Sequence, residues 1–131
     1  MTRVLLLPIH PKWANLIYKG EKTVEVRRRF NLTMEGATIL FYETLPVGMV
    51  TGRATVTRVE AATVSDLLDE AMETRTCIPR PDLLEYANGV ARLSAIHLAD
   101  AHRFERPLPL SDLGVGIAPQ NYRYIEWEGN N

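Results

Sequence analysis

The sequence predicts a small α+β domain, built on a mixed, curled β-sheet or open barrel with two or three short flanking helices. Three observations carry this. Five or six strand-like segments lack the regular β-α-β alternation of a doubly wound sheet. One long segment, Met49 to Glu60, alternates with period two. The helix-like segments are brief and gather at 11–19 and 65–89.

Taken in order, Arg3 to Ile9 reads as a short buried strand around Val4-Leu5-Leu6-Leu7, ended by Pro8. Pro11 suits the first turn of a helix running to about Lys19, with Trp13, Leu16 and Ile17 on one apolar stripe and Gly20 as its stop. Thr23 to Arg29 is a charged strand. Its alternation sends Thr23, Glu25, Arg27 and Arg29 to one face and Val24, Val26 and Arg28 to the other. After a loop at Glu35-Gly36, Ala37 to Glu43 is β-branched and aromatic, and Leu45-Pro46-Val47-Gly48 is a turn. In Met49 to Glu60, the small face Val50, Gly52, Ala54 and Val56 alternates with Thr51, Arg53, Thr55 and Thr57. Gly52 marks a bulge or a close backbone approach. Ser65 to Glu70 begins a capped, acidic helix, Arg80 to Gly89 is a second one stopped by glycine, and Thr74 to Pro79 is expected to be a mobile connection. Arg92 to Phe104 returns to strand. Pro107 to Gly116 is a loop with a short turn at Leu110 to Leu113, and Asn121 to Trp127 is a last strand.

At 131 residues the chain is most simply one domain, 1–131, long enough to bury about two thirds of its unfolded surface. The single cysteine, Cys77, excludes an intrachain disulfide and a multi-cysteine zinc site, and fits a reducing compartment. No run approaches the roughly 20 apolar residues of a membrane span, so the expected location is the cytoplasm. The net charge of −1 conceals an asymmetry: residues 1–60 hold nine Lys or Arg against five Asp or Glu, and residues 61–131 hold six against eleven. A locally basic face can attract an anion although the whole is near neutral, and a near-zero total argues for few phosphate contacts.

The densest chemistry lies at 20–29, where Lys22, Arg27, Arg28 and Arg29 join Glu21 and Glu25, just after the cluster His10-Pro11-Lys12-Trp13. Both clusters flank one short helix. Arg27 and Arg29 are the best phosphate contacts on the Glu25 face, because a guanidinium fork matches phosphate oxygens. Glu25, beside cations, stays ionised and suits hydrogen bonding to an exocyclic amine. Lys22 can donate to a phosphate or carbonyl oxygen, act as a base if desolvated, or simply pair with Glu25. Trp13 and Tyr42 are candidates to stack on a base, with core packing as the plainer role of Trp13. His10 caps the helix or faces the ligand. His97 and His102 lack metal-site spacing, and no phosphate-cradling loop, nucleophile elbow or dinucleotide fingerprint occurs. No metal and no cofactor are therefore expected.

Gly20-x-Lys22-x-x-Glu25-x-Arg27 resembles the ASCH family of the PUA-like superfamily. So do His10-Pro11 ahead of the first helix, Phe41-Tyr42-x-Thr44-x-Pro46, Gly52, Tyr86 before Gly89 and the late strand Ala95-Ile96-His97-Leu98. The resemblance implies an open PUA-like barrel with a cleft between the first helix and the sheet, floored by Lys22 and Glu25. It also implies a part for Tyr86, although packing beneath its helix with Leu83 is the simpler reading. The expected partner is RNA, a nucleotide or a modified base.

Some family members are similar to ribonucleases or to N4-acetylcytidine amidohydrolases, which would make Lys22 and Glu25 catalytic. The amidohydrolase pattern wants a threonine three residues after the lysine, where this chain has Glu25 and keeps Thr23 beside Lys22 instead. The nucleophile is then undefined, with Thr23, Thr44 or water open. A transcription-linked protein-interaction module is a further alternative, supported only by the acidic second half. The sequence does not give the oligomeric state.

Overall fold

In the computed structural model, which describes residues 2–129, six strands form one sheet in the order β2-β5-β4-β3-β1-β6. They are β1 (Thr2–Ile9), β2 (Val24–Arg27), β3 (Thr38–Glu43), β4 (Met49–Thr63), β5 (Arg92–Leu108) and β6 (Arg123–Trp127). Four short helices accompany them, not two or three: α1 (Pro11–Tyr18), α2 (Val64–Leu67), α3 (Glu70–Thr76) and α4 (Arg80–Ala87). A 3₁₀ turn spans Leu110–Leu113, as the sequence suggested. β1 and β3 are parallel, and the other pairings are antiparallel.

β1 reads as one apolar run because both its faces are covered, as in other doubly buried strands. Leu5, Leu7 and Ile9 pack with Ala14 and Ile17 of α1, together with Phe41 and Ile96. Val4 and Leu6 point the other way, into a second core with Leu40, Val50, Phe104 and Trp127. The strand does not end at Pro8. Pro8 pairs with Tyr42 and Ile9 with Glu43, and β6 covers only Thr2 to Leu6 on the other side of β1. Proline, which lacks a donor, is tolerated where the neighbouring edge is open.

The third core is made by α2 and α4, whose Leu67, Leu83 and Ala87 cover Val24, Val26, Leu93 and Ala95. The segment 74–79, expected to be mobile, is instead the end of α3 and its cap: Thr76 is fully buried, and Cys77 closes the helix in a left-handed conformation. Gly52 sits at a register shift. A Cβ there would lie 2.4 Å from the His102 carbonyl oxygen and 2.6 Å from the Tyr18 ring, so the position is closed to any side chain.

No helix among the described residues is long and apolar enough to cross a membrane.

Candidate functional site

The site begins at the end of α1. His10 caps this helix, its Nδ1 accepting the Lys12 amide at 3.2 Å, and Pro11 occupies the first turn, where its missing N–H costs nothing. Beyond Tyr18 the chain does not enter a strand at once. Gly20 takes φ +80°, the amides of Glu21 and Lys22 both return to the Leu16 carbonyl, and the Thr23 amide goes to Arg75. Alternation starts only at Val24. Lys22 is thereby free of the pleat and comes to the same side as Glu25.

Lys22 is buried to 1 % exposure, the largest fully buried side chain described. Its Nζ donates to the Thr76 carbonyl at 2.6 Å, stands 3.4 Å from Glu25 Oε1 and lies 4.8 Å from the centre of the Trp13 ring. Burial lowers the Lys22 pKa, and the neighbouring Glu25 carboxylate only partly opposes that. On the far side of Glu25, Arg27 Nε donates to Oε2 at 2.8 Å, and Arg27 Nη2 donates to the Pro8 carbonyl. Burial alone would raise the Glu25 carboxyl, but Arg27 and then Lys22 outweigh it and hold it below its ordinary value.

Glu25 and Arg27, with Lys22 sealed behind them, floor a cleft of about 760 Å³ between α1, the end of β1, β2 and α4. It is lined among others by His10, Trp13, Glu25, Arg27, Arg29 and Tyr86. Arg27 is mostly committed to internal bonds, which makes it a brace more than a phosphate hand. Arg29 is exposed, and its guanidinium has no hydrogen bond or ion pair among the described residues, while its carbonyl is held by Asn121 Nδ2 at 2.9 Å. Arg28, on the face opposite Glu25 by alternation, reaches α4. Its guanidinium donates to the Tyr86 carbonyl at 2.7 and 2.9 Å, and its amide donates to the Tyr86 hydroxyl. Tyr86 therefore faces the cleft at 37 % exposure and does not pack beneath its helix, where Leu83 and Ala87 are buried.

Three expectations fail geometrically. Tyr42 packs against the second core with Leu6 and Leu40, across the sheet from α1, because its neighbour Phe41 takes the α1 side. Thr23 is absent from the cleft lining, and it is Glu25, not Lys22, that meets the open space. Thr44, Asn121, Gln120 and Asp82 do line the cleft. Of these only Thr44 carried a sequence signal, since the others come from elements that folding, and not spacing, brings near. A larger hollow of about 880 Å³ lies at β6, between Arg3 and Arg123 and the acids Asp112, Glu126 and Glu128, and touches none of the motif residues. Among the described residues no group of three His, Cys, Asp or Glu side chains could hold a metal ion.

Residues 7–108 match the model of the ASCH domain. The chain belongs to the ASCH family. A relative from Zymomonas mobilis, an ASCH domain-containing ribonuclease, is 31 % identical over 108 residues, covering 82 % of this ASCH chain and 72 % of the relative. The crystal structure of ASCH from Zymomonas mobilis superposes with a TM-score of 0.84 at 27 % identity, over 93 % of this chain and 87 % of that one. A single-residue variant of that protein gives 0.83 over the same shares.

Proposed function

We propose that this ASCH domain binds single-stranded RNA and receives one unpaired base in the cleft between α1 and β2. The observation that carries the reading is an ionised, nearly buried carboxylate, Glu25, at the bottom of a cleft with Trp13 and Tyr86 in its lining and Arg29 on its rim. A carboxylate in that position accepts from base N–H groups. Aromatic side chains stack on bases for about 1–3 kcal/mol each, and an unpaired guanidinium suits a phosphate. Fluorescence anisotropy with short single-stranded RNA is expected to report modest, salt-sensitive binding that weakens in Arg29→Ala. Absence of any binding at low salt would overturn the reading.

A second reading, RNA cleavage, is favoured by the ribonuclease name of the Zymomonas relative. In that case Lys22 is not the base, since it is sealed beneath Glu25 and touches no part of the open cleft; it acts by positioning Glu25. His10 lines the cleft, and with its Nδ1 engaged by the Lys12 amide it keeps Nε2 for a proton. Incubation with RNA and with DNA of the same sequence, with divalent metal and with chelator, separates the readings. Breakdown of RNA alone supports cleavage, and intact RNA in a stable complex supports binding. For the amidohydrolase variant Thr23 is absent from the cleft lining, which leaves Thr44 or water as the nucleophile. The reading treats residues 1–131 as one unit working in the cytoplasm, where the free thiol of Cys77 stays reduced.

A further inference from the structure

The acceptor capacity of Glu25 points to one base. A carboxylate has two oxygens with about four lone-pair positions and nothing to donate. Arg27 Nε takes one position on Oε2 at 2.8 Å, and Lys22 Nζ approaches Oε1 at 3.4 Å. Each oxygen is thus engaged once from within the protein, leaving room for a further donor on each. The neighbouring guanidinium and ammonium hold the carboxylate in place from both sides, so the two oxygens form a fixed pair and not a swinging group.

Guanine is the base whose pairing edge offers two adjacent donors, N1–H and N2–H. Adenine and cytosine offer a single amino group beside a ring acceptor, and uracil sets one N–H between two carbonyls that would repel a carboxylate. His10 supplies the complement. Its Nδ1 accepts the Lys12 amide, so the neutral ring carries its hydrogen on Nε2, a donor in the lining of the same cleft and suited to a carbonyl such as O6.

We infer that Glu25 makes the cleft selective for guanine, reading N1–H and N2–H together, with His10 completing the edge at O6. The inference rests on the RNA-binding reading and names its specificity.

The test uses the unaltered protein, so it does not depend on any variant folding. A uridine hexamer carrying one guanosine is compared by anisotropy with hexamers carrying inosine, 1-methylguanosine, 7-deazaguanosine, adenosine or cytidine at that place. Inosine lacks one donor and 1-methylguanosine blocks the other; each is expected to bind about tenfold more weakly or worse, the size of one hydrogen bond to a charged group. The 7-deaza base is changed away from the edge that is read and is expected to bind as guanosine does. Equal affinity for guanosine and inosine, or for all the bases, would overturn the selectivity and leave RNA binding standing. No measurable binding of any hexamer would overturn the RNA-binding reading itself, and the selectivity with it.

Discussion

Two buried carboxylates sit near opposite flanks of α1, and their difference separates a site from a structural pair. Glu43, 2 % exposed, meets Arg103 at 3.0 Å; Arg103 also reaches Asn15 and lies over the Tyr18 ring, whose hydroxyl bonds Thr51. Glu25, 5 % exposed, meets two cations, one of them fully enclosed, and borders an open cleft. An acid beside a guanidinium is common to both. Only at Glu25 are the cations themselves drawn inward, their side chains 0 % and 14 % exposed against 45 % for Arg103, and of the two acids only Glu25 borders the cleft.

The sharpest way to break the comparison is Lys22→Met. It leaves the Thr76 carbonyl and a Glu25 oxygen without their buried donor, and loss of one partner of a buried pair costs about 3–5 kcal/mol. Urea unfolding should show this, whereas a loss below about 1 kcal/mol would make Lys22 dispensable. Gly52→Ala comes next. The clash with the His102 carbonyl is with backbone and cannot be relieved by a rotamer, so about 1–3 kcal/mol or more is expected in the same assay with no selective effect on RNA.

Acid titration sharpens the contrast further. The folded pKa of Glu25 is below its ordinary 4.5, so its pairing stabilises the protein above that value. The contribution declines as the pH drops below about 4.5 and is lost once the pH passes the lower folded value. Thermal melts between neutral and acid pH should show this slope, and Glu25→Gln should flatten it. Arg29→Ala is expected to leave stability unchanged while reducing the salt dependence of RNA binding by about 0.7 in log–log slope, one phosphate contact's worth. Arg103→Ala strips the buried Glu43 carboxylate of its cation, but the Arg103 side chain is 45 % exposed and water can enter its place, so about 1–3 kcal/mol is expected to be lost in urea unfolding with RNA binding unaltered.

Much of the fold was legible from local pattern. The period-2 run at β4, the proline start of α1 and the Leu110–Leu113 turn are properties of short segments, and short segments state them. The strand bearing the motif was legible too, because Val24 and Val26 had to face something apolar. What local pattern withheld was the third dimension of the site. Nothing in Thr76 announces that its carbonyl receives an ammonium from 54 positions earlier, and nothing in Tyr86 announces that Arg28 turns it toward the cleft. Tyr42 misled for a similar reason: the motif gave its neighbourhood, and the register shift between Phe41 and Tyr42 lies in a pairing that one strand alone does not reveal.

The reach of Arg27 to Pro8 has a consequence for how the molecule closes. β2 is one edge of the sheet, and the end of β1 lies uncovered near the other, since β6 stops short of it. The curled sheet is therefore laced shut at this point by one side chain and not by a ladder of amides. The groove that would hold a base is the seam itself. An occupant touching both lips would act as a second stitch, and amide exchange along β2 should slow when RNA is bound.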